Sequence, residues 1–137
     1  RGEAGVIEQY IPTANIVVSD KPERIGVAYH SYLISSIVKG EDDDIVIFAS
    51  DDFTPPKNWD EYLVSKLKGK DGCLMVRDGY QLPDSSNMLH PAITIPIMTY
   101  GCLRKLNGII YHPAYNHMFS DCELYDNLKD LNLQYPN

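Results

Sequence analysis

The stretch Asp44-Ile45-Val46-Ile47-Phe48-Ala49-Ser50-Asp51-Asp52-Phe53-Thr54-Pro55-Pro56-Lys57-Asn58-Trp59 decides how this chain reads. Ile45 to Ala49 is an unbroken apolar run, which predicts a strand buried on both faces. It ends abruptly at Asp51-Asp52 and Pro55-Pro56. Two adjacent carboxylates at the mouth of a buried strand repel each other unless a positive charge sits between them. A divalent cation that prefers hard oxygen ligands, Mg²⁺ or Mn²⁺, relieves that repulsion. A helix cap before the proline pair accounts for the same two residues, because acidic side chains favour helix starts. The acidic run Glu41-Asp42-Asp43-Asp44 just upstream reads as a solvated loop.

Working outward, Asn15-Ile16-Val17-Val18 is a β-branched run that predicts a strand, followed by a loop at Ser19 to Pro22. Ile25, Tyr29, Leu33 and Ile37 recur every four residues, with Ala28 and Tyr32 beside them. That spacing predicts a helix ending near Gly40 with this face inward. Downstream, Trp59, Tyr62, Leu63 and Leu67 mark the core face of a second helix that stops at Gly69. Cys73 to Val76 reads as a strand, Asp78 to Met88 as a polar loop, and Ala92 to Met98 as an edge or irregular strand because of Pro96. A short helix from Gly101 to Leu106, a strand at Ile109 to Tyr111 and a last helix from Cys122 to Leu131 complete the order. Strands alternating with helices predict an α/β domain with a mostly parallel sheet, one domain over residues 1–137. Ligands of such sheets sit at the carboxyl ends of strands, which is where Asp51 and Asp52 fall.

Twelve Lys and Arg against 19 Asp and Glu give a net charge of −7. A nucleic-acid partner is therefore not expected, since that binding needs clustered cations. Cys73, Cys102 and Cys122 form no C-x-x-C pair, so they are expected as free, mostly buried thiols in a reducing compartment. No run approaches the ~20 apolar residues of a membrane span, and Arg1 to Gly5 shows no secretory core. The expected location is cytoplasmic.

The Asp44–Trp59 stretch resembles the D-x-D region of GT-A glycosyltransferases, especially family 2. Three further segments carry the resemblance in the family's order. Arg24-Ile25-Gly26-Val27-Ala28-Tyr29-His30 is similar to its R-x-x-G-x-x-x-A-x-N stretch, with the Asn replaced. Pro96 to Gly108 resembles the turn and short helix that line the acceptor site, and Ser120-Asp121-Cys122-Glu123-Leu124 resembles E-D-x-D-L. Together they cover about residues 15–130. Pro12-Thr13-Ala14-Asn15 echoes the family's opening P-T-x-N but lies too close to the acidic strand. Ser50 stands where a first Asp is common. The chain thus looks like a truncated or minimal Rossmann-like GT-A core that lacks the usual N-terminal nucleoside-binding part.

The resemblance implies metal-dependent, inverting transfer of a hexose from a nucleotide-sugar donor to a glycan or other hydroxyl acceptor. By it, Mn²⁺ or Mg²⁺ is held by Asp52 and Asp51, with Arg24 and Gly26 also on the donor side. Asp121 matches the catalytic base and Glu123 orients acceptor or base; a helix cap at Asp121 remains an alternative role. Asp78, Tyr100, Gly101 and Tyr115 are expected at the sugar or acceptor, with Tyr80 and Tyr111 as further platform residues. His117, four residues before Asp121, is a further candidate ligand; a packed turn with hydrogen-bonded histidines explains His112 and His117 equally. His30 and His90 carry no constellation, and Trp59 is expected in the core. A homo-oligomer or a partner chain would supply the missing region and cover the sheet edge. Two other functions remain: a catalytically inactive GT-A-like binding module, and a different metal-dependent enzyme on the same strand end. The latter lacks a phosphate-cradling glycine loop.

Overall fold

A computed structural model of the chain describes residues 27–49, 53–76, 91–116 and 118–136. The strand expected at Asn15 to Val18 and the loop from Asp78 to Met88 lie outside the described residues. In chain order the elements are α1 (Val27–Ile37), β1 (Ile45–Ile47), α2 (Trp59–Leu67), β2 (Cys73–Met75), β3 (Ile97–Thr99), α3 (Tyr100–Lys105), α4 (Ser120–Asp130) and β4 (Gln134–Pro136).

The strands form a mixed sheet in the order β1-β3-β2-β4. β3 is antiparallel to β1 and β2, and β2 is parallel to β4. This corrects the mostly parallel sheet expected from the sequence. The burial pattern explains why: Ile97, Met98 and Thr99 are all buried, as befits a central strand, and such a pattern carries no information on direction. Pro96 precedes the strand, so its missing N–H costs no ladder bond, while its carbonyl accepts the Phe48 N–H at 2.9 Å. The expected strand at Ile109 to Tyr111 is an irregular segment with Ile110 and Tyr111 buried. β4, which the apolar pattern did not mark, pairs Gln134 with Cys73 and Tyr135 with Leu74.

Alternation along the strands builds two cores. Cys73 and Met98, flanked by Val46, Phe48 and Met75, face Ala28, Leu103, Leu124 and Leu128 from the helices. Leu74 and Ile97, flanked by Ile45, Ile47 and Val76, face Leu63 and Leu67 of α2. The sheet is therefore covered on both sides, as in other layered α/β folds. β1 is only half-buried along its length, less than expected, because it is an outer strand of the described sheet.

Two helix faces also differ from expectation. In α1 the buried positions are Ala28, Ser31 and Ser35, whereas Ile37 is 51% exposed. Small side chains allow close approach, and the Ser35 hydroxyl is satisfied within the helix by donating to the Tyr32 carbonyl at 2.9 Å. In α2 only Leu63 and Leu67 reach the sheet, so Trp59 is 38% exposed rather than core. Gly69, at φ 69°, ends this helix in the left-handed conformation that glycine adopts without a Cβ clash. At Gly72 the chain passes so close to β4 that a Cβ would meet the Tyr135 ring and the Leu133 carbonyl.

α4 is positioned by Leu124 and Leu128, four residues apart and 1% and 0% exposed. Burying each contributes roughly 1.5–3 kcal/mol. Among the described residues no helix is long and apolar enough to cross a membrane.

Candidate functional site

β1, β2 and β4 run one way and β3 runs against them. The carboxyl ends of β1 and β2 therefore share an edge of the sheet with the amino end of β3. The first turn of α4 reaches this edge: the Ile93 N–H, in the segment leading to β3, donates to the Asp121 carbonyl at 3.1 Å. Asp121 is half-buried there. Its Oδ1 accepts the Cys122 N–H at 3.0 Å, and a carboxylate has further lone pairs for a second donor. The cap position is held by Phe119 at φ 73° with no side-chain capping bond, so neither Asp121 nor Ser120 is the N-cap of this helix. Burial pushes the Cys122 thiol up, and the neighbouring Asp121 carboxylate adds to that shift. Burial raises Cys73 and Cys102 to about 12, which leaves both as inert thiols. All three cysteines are free.

Glu123 lies two residues beyond Asp121, a rotation of about 200° on a helix. It lines a groove of about 410 Å³ with Lys105, Asn107, His112, Asn127 and Asp130, so the two acidic residues project in different directions. His112 is exposed and its Nδ1 accepts the Ala114 N–H at 3.2 Å, a hydrogen-bonded turn. Tyr115 packs its half-buried ring against the core and edge-on to His112, with centroids 6.5 Å apart.

Tyr100 and Gly101 sit at the opposite edge of the sheet from Asp121. Their N–H groups donate to the Asp44 and Asp42 carbonyls, at 2.7 and 3.1 Å, beside the amino end of β1. The Tyr100 hydroxyl donates to the Val38 carbonyl at 3.3 Å. A polar cluster holds this edge together. Thr99, 1% exposed, donates from Oγ1 to Asp71 Oδ1 at 3.0 Å and accepts the Gly72 and Cys102 N–H groups, both at 3.2 Å. Asp71 Oδ2 pairs with Lys105 at 2.5 Å, and Arg104 pairs with Asp42 at 2.7 Å. Asp71 and Thr99 carry no expected role from the sequence, although a threonine just before a helix is a recognisable cap signal. Ile93 carries no expected role from the sequence, whereas Tyr111, expected on an acceptor platform, is buried and its hydroxyl donates to the Ile93 carbonyl.

Burial pushes the Asp71 carboxyl up, but hydrogen bonds from Lys105 and Thr99 outweigh it and hold the group below its ordinary 3.8. A carboxyl depressed in the folded state stabilises the protein above its ordinary value and loses that contribution as pH falls through the folded value. The gap in melting temperature between wild type and Asp71→Asn is therefore expected to be full at pH 6 and to close below pH 3.8, in a thermal-denaturation series across pH. A gap that persists unchanged in acid would show that Asp71 acts through packing instead.

Arg24, Gly26, Asp51, Asp52, Asp78 and His117, the other expected site residues, lie outside the described residues, as does Tyr80. Among the described residues no group of three or more His, Cys, Asp or Glu side chains is placed to hold a metal. No protein family, no curated protein and no solved structure matches this chain.

Proposed function

We propose that this chain transfers a hexose from a nucleotide-sugar donor to a hydroxyl acceptor, with inversion at the sugar carbon. One observation carries the proposal. The Ile93–Asp121 hydrogen bond ties the first turn of α4 to the segment that enters β3, at the end of the sheet where β1 finishes at Ile47 and β2 at Met75. In the sequence Asp51 and Asp52 follow the end of β1 at Ile47 by four and five residues, which supports reading the acidic pair and the candidate base as one site.

The half-buried Asp121 carboxylate takes the proton of the acceptor hydroxyl as that oxygen attacks the anomeric carbon. The bond from that carbon to the diphosphate breaks on the opposite face, and its electron pair leaves with the nucleoside diphosphate. Asp51 and Asp52, with His117, would hold Mn²⁺ or Mg²⁺, which would supply charge stabilisation for that leaving group. Tyr100 and Gly101, at the far edge, are assigned to the fold and not to the acceptor.

A thermal-shift titration with Mn²⁺ and a panel of nucleoside diphosphates tests this. One nucleotide is expected to raise the melting temperature of the wild type only when Mn²⁺ is present. At a hundredfold excess over Kd the stabilisation is about 2.7 kcal/mol, or roughly 8 °C for a chain of this size. Asp52→Asn is expected to lose the shift. A well-folded protein that responds to none of the nucleotides would favour a binding module without a donor site.

A further inference from the structure

We propose that Tyr111 is a positioning residue for Asp121, acting through the backbone of Ile93. This rests on Asp121 serving as the base. Tyr111 is 6% exposed, and its hydroxyl donates to the Ile93 carbonyl at 2.9 Å. The N–H of the same Ile93 donates to the Asp121 carbonyl at 3.1 Å. One residue is thus gripped at both its polar groups, from Tyr111 on one side and from α4 on the other. Ile93 is itself 3% exposed, so neither group has water as an alternative partner.

The brace matters because α4 begins without a side-chain cap. Phe119 occupies the cap position in a left-handed conformation and contributes no side-chain capping bond, only its carbonyl to the Glu123 N–H at 3.0 Å. An uncapped first turn frays readily, and Asp121 lies in that turn. The contact with Ile93 fixes the turn from outside, and Tyr111 fixes Ile93. Phenylalanine would fill the same space but leave the Ile93 carbonyl buried without a donor. Burial, and then the charge of Asp121, push the Tyr111 phenol well above its ordinary value, so the hydroxyl stays a donor throughout the working pH range.

The Tyr111→Phe protein tests this with two readouts. In amide hydrogen exchange, the Ile93 and Cys122 amides are expected to lose protection by about tenfold, the loss of one hydrogen bond. The amides of Cys73 and Met98, in the central strands, are expected to keep theirs, which separates local loosening from global destabilisation. In turnover, kcat is expected to fall on the order of tenfold with the donor KM unchanged, since misplacing a base affects proton removal and not donor binding. Unchanged protection at Ile93 and Cys122, or loosened amides with an unchanged kcat, would overturn the proposal. A wild type that turns over no donor removes the role of Asp121 as a base and the proposal with it, while intact exchange data would still show whether Tyr111 braces the turn.

Discussion

Asp121→Asn is expected to slow sugar transfer by about a thousandfold while metal-dependent donor binding stays near the wild-type level. The change is close to isosteric. Asn keeps an oxygen that accepts the Cys122 N–H, now at 3.0 Å from Asp121 Oδ1, and the backbone bond from Ile93 is untouched. What disappears is the ability to take a proton. A thousandfold loss corresponds to about 4 kcal/mol of transition-state stabilisation. A purely structural role for an acidic residue in a first helical turn predicts a different pattern. Losing a favourable charge–dipole contact costs about 0.3–1 kcal/mol of stability and nothing in kcat. Single-turnover rates at saturating donor, with donor affinity measured by calorimetry on the same samples, separate the two. Transfer at the wild-type rate would assign Asp121 to the helix end alone.

How far the sequence discloses this molecule depends on what each signal encodes. The apolar run at Ile45 to Ile47 and the expected last helix from Cys122 to Leu131 both produce elements, although β1 is only half-buried and the helix begins at Ser120. Burial patterns say nothing of strand direction, so the reversal of β3 was invisible. That reversal has a consequence for the site. Tyr100 and Gly101 follow β3 in the chain, and because β3 runs against β1 they emerge beside Asp44 and not beside the carboxyl end of β1. Asp121 lies at the start of α4, the helix that returns along the sheet to enter β4. The face of α1 was misread for a different reason. Hydrophobic spacing points to Leu33 and Ile37 with Ala28 beside them; Ala28 is buried, but Ser31 and Ser35 take the inner positions that Ile37 leaves. The Thr99–Asp71 contact joins residues 28 positions apart, and no local pattern announces it.

That contact predicts the largest loss of stability. Thr99→Val is expected to cost about 3 kcal/mol, of which one part is a buried Gly72 N–H left without an acceptor and another the lost cap of α3 at Cys102. Valine matches threonine in shape, so the site, 1% exposed, neither empties nor overfills. The penalty is therefore that of unpaired polar groups. It lowers the melting temperature by roughly 10 °C in a chain of this length. Thr99→Ser keeps the oxygen and is expected to lose only about 1 kcal/mol for the missing methyl. Because Asp71 shares the hydroxyl, Thr99→Val combined with Asp71→Asn is expected to cost less than the two separately. The amino edge then acts as a clamp closing α3 and β2 onto one side chain, at the end of the sheet away from Asp121. Thr99→Val should accordingly leave kcat per folded molecule unchanged, and a kcat loss matching that of Asp121→Asn would contradict the separation of the two edges.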